Sequence, residues 1–207
     1  MKAMAGFGVS PSQPTVATLA DGRTRCSWAT GTGMDLVAYH DDEWGTVTRD
    51  TRSLFEALCL TYFENGLSWA TVYRKREAFR RAFRDFDPAA VAALTDRDVD
   101  RLLADRSIIR HRGKIEATIH NARLVGTGSS WPDLVWAHAP RVQPVLERWS
   151  DGRMSSPESH QLSADLKRLG YRYIGPVVAH SFMQTVGVEN GHFAGCFRAE
   201  DARIGSA

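Results

Sequence analysis

The sequence lacks any apolar run of about eighteen residues, the length that a membrane-spanning helix requires. Its first residues also lack the continuous apolar segment of a secretory signal. Cysteine is scarce: Cys26, Cys59 and Cys196 form an odd set spread along the chain, which argues against a disulfide framework. We therefore expect a cytoplasmic protein that keeps its thiols reduced and has no membrane partner.

An excess of charge of one sign is also missing, since the formal net charge is +2. Binding to nucleic acid cannot be inferred from the total charge and would need a local basic surface. With 207 residues and 43% hydrophobic content, the chain is long enough for one sizeable core, or for a core with a small appended subdomain. Because it shows no β-type alternation of useful length, we predict an all-α fold.

Residues 1–24 are rich in glycine, serine, threonine and proline, and we expect them to form a disordered tail. Apolar residues then recur with the helical period, as in Leu54, Leu58 and Tyr62. This pattern predicts a helical core over residues 51–162.

A junction between two predicted helices follows, where one helix ends at Gly66 and Ser68 is a suitable N-cap for the next. It presents Leu67 and Trp69, and a cationic cluster comes shortly after them. An aliphatic side chain that fills a gap in the base stack and an aromatic ring that holds the base are what base extrusion requires. On this stretch alone, the more common alternative is an ordinary helix corner with a buried tryptophan.

A second cationic cluster, Arg110, Arg112 and Lys114, lies at a predicted turn between two helices. Outward-facing amides beside such cations can bind a phosphate without reading the base sequence. The alternative, which the sequence leaves open, is an αα-hairpin with a solvated basic face.

His192 and Cys196 are spaced i, i+4, which on a helix would place both side chains on one face. Cys26 and His40 form a second pair. Two cysteines and two histidines make a closed tetrahedral zinc set, and closed sets are structural because no coordination position remains for substrate. The spacing is not that of a zinc finger, so four unrelated core residues are the alternative.

Seven motifs, in this order along residues 25–198, resemble those of the 3-methyladenine DNA glycosylase I family. They are Arg25-Cys-Ser-Trp28, Tyr39-His-Asp-Asp-Glu-Trp-Gly45, Gly66-Leu-Ser-Trp-Ala-Thr-Val72, Lys75-Arg-Glu77, Ile108-Ile-Arg-His-Arg-Gly-Lys-Ile115, Asn121-Ala-Arg123 and Ser181-Phe-Met-Gln184. The resemblance implies an all-α helix-hairpin-helix fold, with the hairpin at about 95–125. It also implies a zinc-binding subdomain formed by residues 25–50 and 163–198.

By the same resemblance, one structural zinc is bound by Cys26, His40, His192 and Cys196. The expected partner is double-stranded DNA containing alkylated bases, and we expect a monomer. An alkylated purine cation is already an activated leaving group, so stacking and desolvation can supply selectivity before water attacks the sugar carbon. Because no lysine is placed like a Schiff-base nucleophile, we expect a monofunctional glycosylase of base excision repair.

The resemblance also assigns roles within the lesion pocket. Trp69 stacks on the extruded base and Tyr39 faces it from the other side, while Gly66 and Leu67 press against the gap left in the duplex. Trp28 and Trp44 wall the pocket.

The chain departs from the family at the pocket floor, since Thr61 replaces a base-binding glutamate and Glu64 replaces a glutamine. His180 stands in place of a tyrosine. Glu64 lies at i+3 from Thr61, so we include both in the catalytic set with Tyr39 and Trp69, although a solvated Glu64 is the alternative.

We expect excision to persist with a changed lesion preference, towards bulkier or N7-alkylated purines. The main alternative is a helix-hairpin-helix protein that binds DNA or lesions but has lost excision. A zinc-stabilised fold without a nucleic-acid role is the weaker alternative.

Overall fold

The computed structural model describes residues 12–31, 36–126 and 130–199. Within these ranges the chain is mainly helical, as predicted. The α-helices are α1 Leu36–Ala38, α2 Thr51–Glu64, α3 Trp69–Tyr73, α4 Arg76–Ala82, α5 Pro88–Ala92, α6 Asp96–Ala104, α7 Arg112–Val125, α8 Trp131–Trp136, α9 Pro157–Arg168 and α10 Pro176–Thr185. None of the helices in the described part of the chain is long and apolar enough to cross a membrane.

A short antiparallel hairpin precedes the helices, and the all-α prediction missed it. Strand β1, Val16–Thr18, pairs with strand β2, Thr24–Cys26, with Val16 opposite Cys26. The turn contains Gly22, whose φ of 78° lies in the left-handed region that glycine adopts without strain. Strands of three residues are too short to show alternation in the sequence. The prediction of a disordered tail is therefore wrong for the strand residues, while residues 1–11 lie outside the described part.

Helix α2 lies at the centre of the fold, where it contacts α3, α7, α8 and α10. Asp50 caps its first turn by accepting the Ser53 N–H at 2.8 Å. Leu54, Leu58 and Tyr62 are fully buried, which confirms the predicted apolar face. Because α2 is surrounded, its C-terminal end can hold a loop in a fixed position at the surface.

The predicted helix-turn-helix is α6, a turn, and α7. Thr95 and Asp98 form the expected capping box of α6. Helix α7 begins two residues before Lys114, because the His111 side chain accepts the Lys114 N–H at 3.2 Å and caps it. Lys75 supports the turn by donating from Nζ to the carbonyl oxygens of Arg106 and Ser107, at 3.3 and 2.9 Å.

The predicted subdomain boundary at residue 163 falls inside α9, which is continuous from Pro157 to Arg168. The helix starts before the predicted boundary because Ser156 caps it and Pro157 occupies its first turn. Helix α9 packs on α10, and α10 packs on α2. The C-terminal segment is therefore joined to the helical core through α10.

Candidate active site and metal centre

The four residues predicted to bind zinc lie together. Cys26 ends β2, His40 is in the helical turn Tyr39–Glu43, and His192 and Cys196 follow α10. All four side chains are buried, and their donor atoms lie within 4.8 Å of one another. His192 and Cys196 do not meet on a helix as the spacing predicted, because residues 192–196 form a bridge and a turn. This turn, and not a helix, brings the side chains of His192 and Cys196 into the cluster.

The distances within this cluster fit one tetrahedral ion. Cys26 Sγ and Cys196 Sγ each lie 3.7 Å from His192 Nδ1, and Cys196 Sγ lies 3.4 Å from His40 Nε2. Zinc–sulfur and zinc–nitrogen bonds of usual length, at tetrahedral angles, separate a sulfur from a nitrogen by about 3.6 Å. Burial raises the pKa of the Cys26 thiol, and a cation would offset the cost of ionising it there.

Outer contacts hold the four clustered side chains in place. His40 Nδ1 lies 2.8 Å from Asp41 Oδ1, which leaves Nε2 for the cluster. Asp41 in turn accepts hydrogen bonds from the buried Arg25, with the Nη2 distance at 2.7 Å. The Phe193 N–H donates to Cys26 Sγ at 3.4 Å. A histidine bound to metal commonly has such a carboxylate on its other nitrogen, so the surroundings also fit a metal site.

Trp28 and Trp44 pack beside this cluster. Their rings meet edge-on with centroids 4.9 Å apart, and the Trp44 centroid is 4.6 Å from that of His192. Both indoles are buried, so they insulate the metal-ligating groups from water. Their predicted role as walls of the lesion pocket remains a prediction.

Tyr39 and Trp69 are neighbours, as predicted, but their rings are in contact. The centroids are 5.2 Å apart, and the residues are 3% and 4% exposed. A base stacked between two rings needs them about 7 Å apart, twice the usual contact distance of aromatic carbons. A base therefore fits between Tyr39 and Trp69 only after the rings separate.

Both rings line a cavity of about 230 Å³, which we call the aromatic cavity and which also includes Glu43, Glu56 and Arg80. Two of its three acidic residues are ion-paired, Glu43 with Arg76 and Glu56 with Arg80, while Asp42 makes no ion pair among the described residues. Burial raises the pKa of the Tyr39 hydroxyl well above its ordinary value. The cavity thus offers a neutral phenol and two acids neutralised by arginines, beside Asp42.

The remaining predicted pocket residues line a neighbouring cavity of about 610 Å³, which we call the loop cavity. Thr61, Glu64, Gly66 and Leu67 form one side of it, and α10 forms the other. The structure therefore divides the predicted catalytic set into two pairs in adjacent cavities.

Thr61 and Glu64 differ in what they offer to the loop cavity. The Thr61 hydroxyl donates to the Ala57 carbonyl of its own helix at 2.8 Å, so its proton is already used. Glu64 has no ion-pair partner among the described residues, and burial raises the pKa of its carboxyl to about 7. A carboxyl group with a pKa near neutrality beside a cavity is suited to acid–base chemistry.

The loop between α2 and α3 forms the rim of this cavity. Gly66 has a φ of 90°, a conformation that strains any residue with a Cβ atom. The turn leaves the Leu67 side chain 44% exposed, while Ser68 caps α3 by accepting the Thr71 N–H. The predicted helix corner is present, and its aliphatic residue points into solvent beside a cavity.

The three predicted DNA-binding cations have different surroundings. Arg110 is exposed and makes no ion pair within the described ranges. Arg112 is exposed but pairs with Asp100 at 2.8 Å and Glu116 at 3.4 Å.

Lys114 is 6% exposed, and its Nζ donates to the carbonyl oxygens of Phe63 and Asn65, at 3.1 and 2.9 Å. These carbonyls lie at the C-terminal end of α2, where a cation is favourable. The prediction that Lys114 contacts phosphate is therefore corrected, because its ammonium group is held under the Leu67 loop.

Two residues of interest were not predicted as site residues. Tyr173 is a non-glycine residue with a φ of 63°, and its ring meets that of His111 edge-on at 6.0 Å beside the hairpin. His180 of α10 lines the loop cavity. Neither residue follows from periodicity, since each reaches the site through a contact between segments far apart in the sequence.

Comparison with known proteins now adds to this geometry. The model of the family described as methyladenine glycosylase matches residues 28–199. The chain belongs to this family. The resemblance that the motifs indicated is thus confirmed, and the matched residues include the loop, the hairpin and three of the four clustered side chains, His40, His192 and Cys196.

Two curated relatives are similar over nearly their whole length. DNA-3-methyladenine glycosylase 1 of Escherichia coli K12 is 42% identical over 179 residues, covering 83% of this chain and 95% of the relative. DNA-3-methyladenine glycosylase of Haemophilus influenzae is 37% identical, covering 84% of this chain and 96% of the relative.

Solved structures of methyladenine glycosylases are also similar. A crystal structure of 3-methyladenine DNA glycosylase I has a TM-score of 0.79 at 41% identity, covering 84% of this chain and 98% of its own. The Staphylococcus aureus enzyme, in a study of 3-methyladenine recognition, has a TM-score of 0.76 at 32% identity, with 84% and 93% covered.

Proposed function

We propose that this methyladenine glycosylase hydrolyses the N-glycosidic bond of 3-methyladenine in double-stranded DNA. The observation that carries the proposal is the 610 Å³ loop cavity, which opens beside the exposed aliphatic side chain of Leu67, on the loop between α2 and α3. Leu67 fills the gap in the base stack while the extruded base enters the loop cavity. The relatives and the structures named above, which concern 3-methyladenine, support this choice of base.

The loop cavity is a better site for the base than the aromatic cavity for two reasons. Its volume of about 610 Å³ lies within the range of small-molecule sites, whereas that of the aromatic cavity, about 230 Å³, falls below it. Burial also raises the pKa of its carboxyl group, Glu64, to about 7, whereas Glu43 and Glu56 of the aromatic cavity are neutralised by arginines. Tyr39 and Trp69 line the aromatic cavity and not the loop cavity. Stacking of Trp69 on the base remains a prediction, and it requires the two rings to separate.

Glu64 is the group that we assign to the chemical step. The oxygen of a water molecule bonds to the sugar C1′ carbon, the bond from C1′ to the purine nitrogen breaks, and its electrons neutralise the cationic base. The ionised Glu64 carboxylate stabilises positive charge developing on the sugar and accepts the proton that the water loses. No covalent intermediate with the protein is needed, in keeping with a monofunctional enzyme.

We further propose one structural zinc ion bound by Cys26, His40, His192 and Cys196. The support is the donor set, its spacing and the carboxylate on His40. The ion joins β2 to the segment after α10, and all four positions are filled by protein, so it serves the fold and not the reaction.

A second candidate function is lesion binding without excision. The observation that favours it is Thr61, whose hydroxyl is engaged within its own helix and carries no charge. The changed preference for bulkier or N7-alkylated bases is likewise a prediction, since the named relatives concern 3-methyladenine.

The deciding experiment measures release of free bases from duplex DNA treated with a methylating agent, by mass spectrometry. We expect release of 3-methyladenine by the wild-type protein and at least tenfold slower release by Glu64→Gln, with Glu147→Gln as an exposed control. Tight binding of methylated duplex, without release of either 3-methyladenine or 7-methylguanine, would contradict the proposed excision and support lesion binding instead.

A further inference from the structure

His180 is a buried polar residue without a hydrogen-bond partner. It lies on α10 and is 3% exposed, and neither ring nitrogen makes a hydrogen bond in the described part of the chain. A buried imidazole without partners is unfavourable, because no hydrogen bond offsets the removal of its nitrogens from water. Since native proteins pair nearly all buried polar groups, the arrangement indicates that a bound molecule supplies a partner.

The imidazole stands between two cavities. It lines the loop cavity and also a cavity of about 460 Å³ that contains Glu189 and Asp151, which we call the acidic cavity. Arg153 and Gln184 line both as well. The His180 side chain therefore borders both cavities.

Glu189 determines which edge is which. Its Oε2 lies 3.5 Å from His180 Nδ1. Glu189 lines the acidic cavity but not the loop cavity. The carboxylate is itself buried and accepts a hydrogen bond from Ser156 Oγ at 2.7 Å. Nδ1 thus faces a fixed carboxylate, and Nε2 is the ring nitrogen without a polar neighbour among the described residues.

This arrangement selects a tautomer. An ionised carboxylate can only accept hydrogen bonds, so it favours the imidazole that carries its proton on Nδ1. The Nε2 atom of that tautomer is an acceptor. An acceptor pairs with an exocyclic amine and is repelled by a carbonyl oxygen at the same place.

We propose that His180 is a specificity-determining residue whose Nε2 accepts a hydrogen bond from the exocyclic amine of an adenine-type base. Glu189 is the residue that sets the tautomer of His180. The inference rests on the proposed function, because it places the base in the loop cavity. It goes further by naming the chemical group that is recognised and the residue that recognises it. A base with an oxo group at C6 is disfavoured at this site.

The test compares two free bases that differ only at C6, 3-methyladenine and 3-methylhypoxanthine. Their affinities are measured by isothermal titration calorimetry for the wild type, His180→Phe, Glu189→Gln and the exposed control Glu147→Gln. We expect His180→Phe to lower the affinity for 3-methyladenine about tenfold, the loss of one hydrogen bond, and to change that for 3-methylhypoxanthine much less. The ratio of affinities is a readout that a merely structural role of His180 would leave unchanged.

Glu189→Gln keeps the imidazole and replaces an obligate acceptor with an amide that can also donate. The preference for one tautomer is then lost, so we expect the affinity ratio to fall by a smaller factor than in His180→Phe. This second variant keeps the proposal testable if His180→Phe does not fold.

The outcomes separate this inference from the proposed function. An unchanged affinity ratio in both variants, in a protein that releases 3-methyladenine from DNA, overturns the role of His180 and leaves the enzyme intact. Binding of 3-methyladenine that depends on His180, without release from DNA, supports the reading of the amine and overturns excision. If the wild type binds neither base, the inference fails.

Discussion

Replacing Lys114 with methionine should loosen the Leu67 loop without removing a contact to DNA phosphate. The ammonium group makes two charge-assisted hydrogen bonds to the C-terminal carbonyls of α2. Methionine keeps most of the side-chain volume but donates to neither carbonyl. Because the Asn65 carbonyl is near solvent and can accept a hydrogen bond from water, we expect the full loss of stability only for the buried Phe63 carbonyl.

The structure gives the magnitude of this effect. Charge-assisted hydrogen bonds contribute about 1.5–3 kcal/mol each, so the loss of one and part of another destabilises the fold by about 3 kcal/mol. In a chain of 207 residues this lowers Tm by about 6–12 °C. The slope of log affinity for undamaged duplex against log salt should remain at its wild-type value, because no phosphate contact is lost.

Arg110→Ala is the matched comparison, because Arg110 is an exposed hairpin cation that makes no ion pair in the described ranges. It should leave Tm within about 2 °C of the wild type and flatten the salt slope by about 0.9. Fluorescence anisotropy with labelled duplex between 50 and 300 mM salt, together with thermal unfolding, measures both quantities. If Lys114→Met flattens the slope by about 0.9 and leaves Tm unchanged, Lys114 binds phosphate and the reasoning is wrong.

Three further predictions concern the metal centre and the loop cavity. Purified protein should contain about one zinc per chain, and Cys196→Ser should lose both metal and stability while Cys59→Ser keeps the metal; a content well under one zinc in carefully purified protein would count against the site. Since the folded pKa of Glu64, about 7, exceeds its ordinary 4.5, its stabilising contribution is present below pH 4.5 and lost as pH rises through 7. Between pH 5 and pH 8 the free energy of unfolding should therefore fall in the wild type by up to about 3 kcal/mol more than it falls in Glu64→Gln. An equal fall in both proteins would show that Glu64 is solvated. Thr61→Glu should raise release of 3-methyladenine relative to 7-methylguanine, because a carboxylate accepts hydrogen bonds from the adenine amine; an unchanged ratio places Thr61 away from the base.

Much of the fold could be predicted from local signals. The apolar face of α2 and the capping box at Thr95 act within a few residues, so their effects can be read from spacing alone. The hairpin β1–β2 could not be predicted in this way, because strands of three residues show no usable period. The subdomain boundary predicted at residue 163 falls inside α9, because the cap of this helix, Ser156, lies in a stretch whose composition is typical of a loop.

The sequence by itself determined the family and the four residues that could hold a metal ion, since both depend on which residues are present and in what order. The tertiary structure decided where each long side chain lies and which residues it contacts. Lys114 is buried under the Leu67 loop because α7 packs against α2, and Tyr39 touches Trp69 because the turn before α2 lies on α3. His180 stands between two cavities because α10 packs between α9 and α2. These contacts join positions far apart in the chain, where neither spacing nor composition carries information about direction or distance.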